Sequence, residues 1–276
     1  MLSARFLLRG IVCAGVMLPA VVGSGQATSS PKLPEAAVKM LNKQVGWDTA
    51  GANPKNPAGL RLRFVKIDED RLSLPGTKGR SVRYRVFVSG LADGAKYTMG
   101  IWKIGSELAM LSDEVYANKK GLLMVHKPKP EQENANAVGR KDELDLSLQA
   151  AKGEPVRFVL ATPDGKLVVP GTVVPFPIEA DTGRCRLELR LGLPDAQAVL
   201  VYADGLPPNS AVPLNSDSSG EAMPTSLQVD AKGHASTVDL PFIDGAVQGV
   251  LKVGIQIPSC NVSVHVPWGQ GTYHVE

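Results

Sequence analysis

Short runs in which apolar residues stand two apart dominate the chain from residue 60 onward. Tyr84, Val86 and Val88 form one such run. Successive side chains of a β-strand point to opposite faces, so this period of two is typical of strands with one buried face. Turn-forming clusters of Gly, Pro, Asn and Asp separate the runs, as at Thr162–Gly165. Similar runs recur at 62–67, 156–160, 167–169, 187–191, 199–202, 251–257 and 262–266. Many short strands at this spacing predict an all-β fold built as a β-sandwich.

Two stretches of the sequence recur at nearly the same offset. The segment Phe87–Gly94 matches Tyr202–Asn209 in its Gly-Leu pair, 115 residues apart, and Val115–Gly121 matches Val229–Gly233 with two residues missing. Glycine recurs at turns because it adopts positive φ without steric cost. The repetition predicts two tandem domains of the same architecture. Their predicted ranges are 60–178 and 183–276.

The strand spacing, the Gly-Leu turn and the hairpin that carries a glycine resemble bacterial immunoglobulin-like or fibronectin-III-like domains. The resemblance covers most of 60–276. One departure is that the Cys…Trp…Cys core signature of antibody domains is absent, since Trp268 follows both Cys185 and Cys260. The resemblance implies binding, spacing or scaffold work at the cell exterior. It implies no reaction, because a fold does not determine a function.

The N-terminus has the features of a secretory signal peptide spanning residues 1–27. Arg5 and Arg9 precede an uncharged apolar stretch, Gly10–Val22, and Gly25–Ala27 fits the small-x-small cleavage pattern. The alternative is a membrane anchor, but about 13 apolar residues fall short of the ~20 that a spanning helix needs. The expected location is therefore outside the cytoplasm: periplasmic, secreted or on the cell surface.

The cysteine count predicts one disulfide. Cys13 lies in the apolar core of the leader and is expected to leave with it, so that Cys185 and Cys260 remain. An even number of cysteines in an exported chain favours a bridge, and the alternative is two free buried thiols. In an immunoglobulin-like sandwich the first strand can lie parallel beside the last. Cys185 and Cys260 open those two strands, so that arrangement would place them side by side.

Residues 28–59 are expected to form a short helix and a linker. Pro34 and Glu35 suit the first turn of a helix, and Gly51–Gly59 has loop composition. The predicted apolar stripe of the helix consists of Ala37, Val38, Leu41 and Val45.

The interval 127–155 is the place where the two copies differ, because it is charged, bounded by prolines and far longer than its counterpart. The prediction is a solvated loop of the first domain, and the alternative is a contact loop carried on a rigid scaffold.

The charge of the chain argues against a nucleic-acid partner, and its hydropathy argues against a transmembrane helix after the leader. The formal net charge is +3, and removal of the leader with Arg5 and Arg9 leaves +1. A nearly neutral chain lacks the clustered basic face of a nucleic-acid-binding protein. No later segment is long and apolar enough to form a transmembrane helix.

No metal, cofactor or catalytic motif is predicted. Cys260 and His265, with His234 upstream, resemble part of a copper site, but no Met follows them. They are five residues apart and so lie on opposite faces of a continuous strand. A Gly-x-Ser-x-Gly nucleophile elbow and closely spaced His pairs are absent from the sequence. The acidic clusters are expected at solvated strand ends and turns, and Asp68–Asp70 is also weighed as half of a calcium loop. The clusters are Asp68–Asp70, Asp113–Glu114 and Asp142–Glu143.

The aromatic residues are interpreted as core residues. A sugar-binding platform needs rings exposed together, but Tyr97 and Trp102 are five residues apart on one predicted strand and point to opposite faces. The sequence therefore predicts a non-enzymatic exported protein with a structural, adhesive or protein-binding role, whose partner is a cell-envelope protein or glycan. The alternatives are a carbohydrate-binding accessory module and, less favoured, a β-sandwich hydrolase.

Overall fold

The computed structural model describes residues 35–49, 55–74, 77–127 and 142–274. The predicted signal peptide lies outside these residues. One α-helix, α1 (Glu35–Thr49), precedes a series of strands. None of the helices in this part of the chain is long and apolar enough to cross a membrane.

Strands β1 to β8 form what is called here the N-terminal sandwich. They are β1 (Arg63–Leu74), β2 (Thr77–Phe87), β3 (Lys96–Trp102), β4 (Ala109–Ala117), β5 (Leu123–Met124), β6 (Asp145–Leu148), β7 (Val156–Ala161) and β8 (Val168–Val173). One sheet has the order β1-β2-β6, and the other has the order β5-β4-β3-β7-β8. The predicted run Tyr84, Val86 and Val88 is confirmed as a buried face, and it packs in the core between the two sheets.

Strands β9 to β17 form the C-terminal sandwich. They are β9 (Ile178–Asp181), β10 (Arg186–Leu191), β11 (Val199–Asp204), β12 (Ala211–Ser218), β13 (Glu221–Ala222), β14 (Thr225–Gln228), β15 (Ala235–Asp239), β16 (Gln248–Ile257) and β17 (Cys260–Gly269). One sheet has the order β15-β11-β10-β9. The other has the order β13-β12-β16-β17, and β14 also pairs with β12. Strand β9 lies before residue 183, so this sheet begins earlier than the predicted second domain.

The two sandwiches have the same strand order. Apart from the additional edge strand β9 of the C-terminal sandwich, β10, β11 and β15 match β1, β2 and β6. Taking β14, β12, β16 and β17 as equivalents of β4, β3, β7 and β8 matches the facing sheets as well. All pairings are antiparallel, as in immunoglobulin-like and fibronectin-III-like sandwiches. The predicted all-β fold is therefore confirmed, and it resembles that of immunoglobulin-like domains.

The repeated glycine-bearing turns are built in the same way. Asn118 Oδ1 accepts hydrogen bonds from the backbone N–H groups of Lys120 and Leu122, at 2.9 and 3.0 Å. Asp230 Oδ1 accepts from Lys232 and His234 in the equivalent turn, at 2.7 and 2.9 Å. An Asx side chain that bonds the backbone ahead of it stabilises a local turn. The short sequence echo thus corresponds to a repeated backbone structure.

The glycines of these turns approach the backbone of a neighbouring segment closely. Gly121 and Gly233 have φ of +75° and +83°. A Cβ atom on Gly121 would lie 2.4 Å from the carbonyl oxygen of Val88, and one on Gly233 would lie 2.7 Å from that of Leu206. Both positions therefore require glycine for conformation and for space.

Helix α1 packs against the C-terminal sandwich. Leu41 lies in a small cluster with Leu193 and Leu200, and the buried Gln44 donates its side-chain N–H to the carbonyl of Gly192. The predicted stripe is only partly right, because Val38 is 42% exposed. The partly buried Met40, which the predicted stripe does not include, packs against the core. The helix also extends beyond the segment in which the apolar pattern is visible.

The interval 127–155, expected to be a loop, contains strand β6. Residues 128–141 lie outside the described part. Leu146 and Leu148 of β6 are buried and pair with β2, and Glu143 forms a bridge with Met124. The apolar alternation of these leucines outweighs the charge of their neighbours, because the side chains that alternate with them face away from the core.

Backbone hydrogen bonds join the two sandwiches within a unit that spans Leu33–Glu276. The N–H of Gly153 bonds the carbonyl of Phe176 at 2.7 Å, and the N–H of Leu191 bonds the carbonyl of Gly153 at 2.8 Å. The guanidinium of Arg80 stacks over Phe176, with its carbon 4.9 Å from the ring centroid. That each sandwich folds independently stays a prediction.

Candidate functional site

The predicted disulfide between Cys185 and Cys260 is confirmed. The two residues are 3% and 2% exposed, and their Cα atoms are 5.7 Å apart. Cys185 immediately precedes β10, and Cys260 begins β17. The expected arrangement was wrong, because β10 and β17 belong to different sheets and β9 occupies the place beside β10. The bridge therefore joins the two sheets across the end of the sandwich.

His265 lies on the exposed face of β17, opposite the buried Val264 and Val266, as the alternation predicted. Because Cys260 is in the disulfide, it offers no free thiolate to a metal. Within the described ranges, no group of three or more His, Cys, Asp and Glu side chains is placed to hold a metal ion.

Two polar pairs contain residue types used in hydrolysis, but each forms a separate hydrogen bond. His234 Nδ1 lies 2.6 Å from Asp204 Oδ1 on the surface. Ser216 Oγ donates to Asp239 Oδ2 at 2.6 Å, and burial raises the pKa of that carboxyl. Ser216 and His234 are in separate pairs, so these described contacts do not form a Ser–His–Asp triad.

Two of the acidic clusters, Asp68–Asp70 and Asp113–Glu114, differ from expectation because they lie within strands β1 and β4 and not at strand ends. Asp68 and Glu69 are in the middle of β1. A hydrogen bond from Arg83 lowers the pKa of Asp68, and hydrogen bonds from Lys66 and Arg80 lower that of Glu69. These carboxylates form cross-strand ion pairs of the long β1–β2 hairpin.

In the other two clusters, one carboxylate each is in an ion pair: Glu114 in β4 and Glu143 just before β6. Glu114 of β4 bonds Lys96 of β3 at 2.7 Å, and Glu143 bonds Arg85 at 2.6 Å.

The aromatic rings lie inside the protein. Tyr97 is 2% exposed in the N-terminal core, and Trp268 is 1% exposed in the C-terminal core, where its indole N–H donates to Ser218. Trp102 points to the other side of β3, where its ring contacts Trp47 of α1 edge to face at 5.8 Å. These rings therefore act as packing residues and do not form an exposed platform.

One edge of the N-terminal sandwich exposes apolar side chains. Strand β4 pairs with β3 along its length, but β5 covers its other edge only at Tyr116 and Ala117. Among the described residues, no strand pairs with the remaining stretch, Ala109–Val115, which is called here the β4 edge. Met110 is 67% exposed, and the adjoining Leu108 and Leu111 are 53% and 42% exposed.

Sequence reasoning did not identify the β4 edge. An apolar run such as Leu108–Leu111 is as typical of a buried strand as of an exposed one. Whether it is covered depends on which strand pairs beside it, and that pairing is non-local. An unpaired edge with apolar side chains is a template for strand addition, and native proteins usually protect such edges.

No family model matches the chain, and no curated protein matches it. Two solved structures that it resembles are a tetra-tandem repeat from the extending region of a large adhesion protein and an ICAM-5 D1–D4 ectodomain fragment. Identities are 13% and 14%, both TM-scores are 0.22, and 76% of this chain is covered in each case. The chain corresponds to 48% and 53% of those structures. Likenesses at this level do not define a shared function.

Proposed function

We propose that this is a non-enzymatic exported protein with an adhesive or protein-binding role, whose protein partner adds an extended strand to the β4 edge. The observation that carries the proposal is the exposure of Met110 and its apolar neighbours on an unpaired strand. Strand addition uses the backbone N–H and C=O groups of an open edge for affinity and the adjacent side chains for specificity.

The charge beside the edge defines the partner further. Glu107 and Asp113 are exposed near Leu108 and Met110 and make this surface acidic. Glu114 is paired with Lys96 across the sheet. The partner is therefore an extended segment that alternates apolar with basic side chains, carried by another protein of the cell envelope.

Export is part of this proposal and rests on two features. Residues 1–27 have the pattern of a signal peptide. The Cys185–Cys260 disulfide is of the kind that forms and persists in oxidising compartments.

Site-specific photo-crosslinking tests the partner site in cells that export the protein. A photoreactive residue at Asp113 of β4 is compared with one at Ser226 of β14, the equivalent strand of the C-terminal sandwich. We expect an adduct with another protein from position 113 and none from 226. Met110→Lys should lower the adduct yield at least about tenfold, since a charge on an edge strand disfavours pairing. Ser226→Lys should leave the yield unchanged.

A synthetic peptide of the crosslinked segment provides the second measurement. It should bind the purified protein and slow amide exchange along Ala109–Val115, and Met110→Lys should abolish both effects. An adduct formed only with a second copy of this chain, equal yields at both positions, or a peptide that protects another strand would contradict the proposal.

A further inference from the structure

A trough with polar walls lies on the outer face of the C-terminal sandwich, away from the β4 edge. Gly254 of β16 forms its floor and stands in register between Asn215 of β12 and Ser263 of β17. In the next row, Gln256 is the register partner of Asn261. Because glycine lacks a side chain where its neighbours project outward, the face is hollow there. The cavity measures about 430 Å³, within the ~300–1,000 Å³ range of small-ligand sites.

Free amide and hydroxyl groups line this trough. The side chains of Asn215, Gln256, Asn261 and Ser263 are exposed, and none of them has a hydrogen-bond partner among the described residues. An amide side chain both donates and accepts hydrogen bonds, and so does a hydroxyl. The backbone of the central strand β16 pairs with β17 along Gln248–Ile257 and with β12 along Leu251–Gly254. A ligand in the trough therefore meets these amide and hydroxyl side chains as hydrogen-bond partners.

The charges at the trough cancel. Asp217 and Lys252 are register partners at one end, so a carboxylate and an ammonium group stand beside each other. A site for an anionic or cationic ligand would present an excess of the opposite charge. Ala222 and Pro224, both exposed, form an apolar flank. The trough thus combines an apolar flank, several neutral donor–acceptor groups and no net charge.

We infer that this trough binds a neutral oligosaccharide. Every sugar hydroxyl donates and accepts hydrogen bonds, which matches the amide groups of Asn215, Gln256 and Asn261. The apolar C–H face of a sugar ring matches the flank formed by Pro224 and Ala222. The binding site is separate from the β4 edge and does not depend on the proposed protein partner.

Titration with neutral trisaccharides tests the inference. The probes are cellotriose, maltotriose, mannotriose and triacetylchitotriose, added to isotopically labelled protein spanning residues 28–276. At least one should shift the side-chain amide signals of Gln256 and Asn261. Removal of both amides in the Gln256→Ala/Asn261→Ala variant should weaken binding at least about tenfold, since both side chains lose their hydrogen bonds to the sugar. Gln228→Ala, an exposed amide on β14 outside the trough, is the matched control and should change nothing.

A second variant fills the trough. Gly254→Leu places a side chain on the floor, where the nearest atom to its Cβ is the carbonyl oxygen of Val262 at 3.2 Å. It should abolish binding, and its melting temperature reports whether the sheet is intact. Met110→Lys should leave sugar binding unchanged, which separates this site from the β4 edge. The inference is overturned if no neutral trisaccharide binds, if binding survives Gly254→Leu, or if only charged glycans or peptides shift the trough signals.

Discussion

The N-terminal and C-terminal sandwiches share a strand order but differ in the side chains that their equivalent edge strands, β4 and β14, expose. In the N-terminal sandwich, β4 exposes Leu108, Met110 and Leu111 beside an open edge. In the C-terminal sandwich, the equivalent β14 exposes Thr225, Ser226 and Gln228, and its apolar residue Leu227 is buried. A polar edge strand resists unwanted pairing, whereas an apolar one favours it. The same strand order therefore allows a polar or an apolar edge strand. The side chains of that one short strand decide whether the edge can pair with a further strand.

The two sandwiches also differ in the cross-links that they contain. The C-terminal sandwich has a disulfide between its sheets. The N-terminal sandwich instead contains the long β1–β2 hairpin, on which Arg83 and Arg80 pair with Asp68 and Glu69. Exposed ion pairs contribute little, typically below about 1 kcal/mol each. The comparison thus predicts that the disulfide is the larger single contribution to stability.

The largest expected effect is loss of the disulfide. Replacement of both Cys185 and Cys260 by Ala removes a link that spans 75 residues. It should destabilise the C-terminal sandwich by about 4 kcal/mol in the chain-entropy description. Chemical unfolding followed by Trp268 fluorescence measures the effect. The fluorescence of Trp102 in single-tryptophan variants should show a much smaller change for the N-terminal sandwich. Equal losses in both sandwiches would show that they unfold as one unit.

The second prediction compares the repeated turns. Gly121→Ala and Gly233→Ala should each destabilise the protein by about 2–3 kcal/mol, since both glycines have positive φ and an added Cβ would clash with a carbonyl oxygen. Gly165→Ala is the matched control: its φ is +66°, but nothing lies within 4 Å of the added atom. It should cost about 1 kcal/mol from conformation alone.

Urea unfolding of the three variants measures these differences. If Gly121→Ala or Gly233→Ala lowers the free energy of unfolding no more than Gly165→Ala does, the added Cβ atom meets no clash. That result would contradict the close packing of these two turns.

The strands and their repetition were predictable because they depend on local patterns. Alternation at Tyr84, Val86 and Val88 identifies a buried face directly. The Asx-x-x-Gly turns at Asn118 and Asp230 are short-range structures, and their side chains bond backbone groups two and four residues ahead. Such features require no knowledge of distant contacts.

What escaped prediction depends on contacts between distant residues. Two cysteines identify a pair, but the sheet in which each lies depends on β9 occupying the position beside β10. The burial of Gln44 in place of a more apolar residue depends on the carbonyl of Gly192, far along the chain. The trough needs three strands in register to place Asn215, Gly254 and Ser263 in one row. Local periodicity predicts which face a residue occupies but not what lies next to it.

The smallest expected effect concerns pH and again sets one turn against the other. Asp230 titrates, whereas Asn118 at the equivalent position does not. Hydrogen bonds from the backbone N–H groups of His234 and Lys232 hold the pKa of Asp230 below its ordinary value. A carboxyl whose pKa is lowered by folding contributes stability that is present above its unfolded-state pKa. That stability is lost as the pH falls through the folded-state pKa.

Urea unfolding at several pH values between 7 and 3 should therefore show wild-type protein more stable than Asp230→Asn at neutral pH. The two should converge in acid. Other carboxylates titrate in both proteins and cancel in this difference. Asn118→Asp should introduce the same pH dependence into the N-terminal sandwich. A difference between wild type and Asp230→Asn that is as large at pH 3 as at pH 7 would contradict a role for the charge and leave only the shape of the turn.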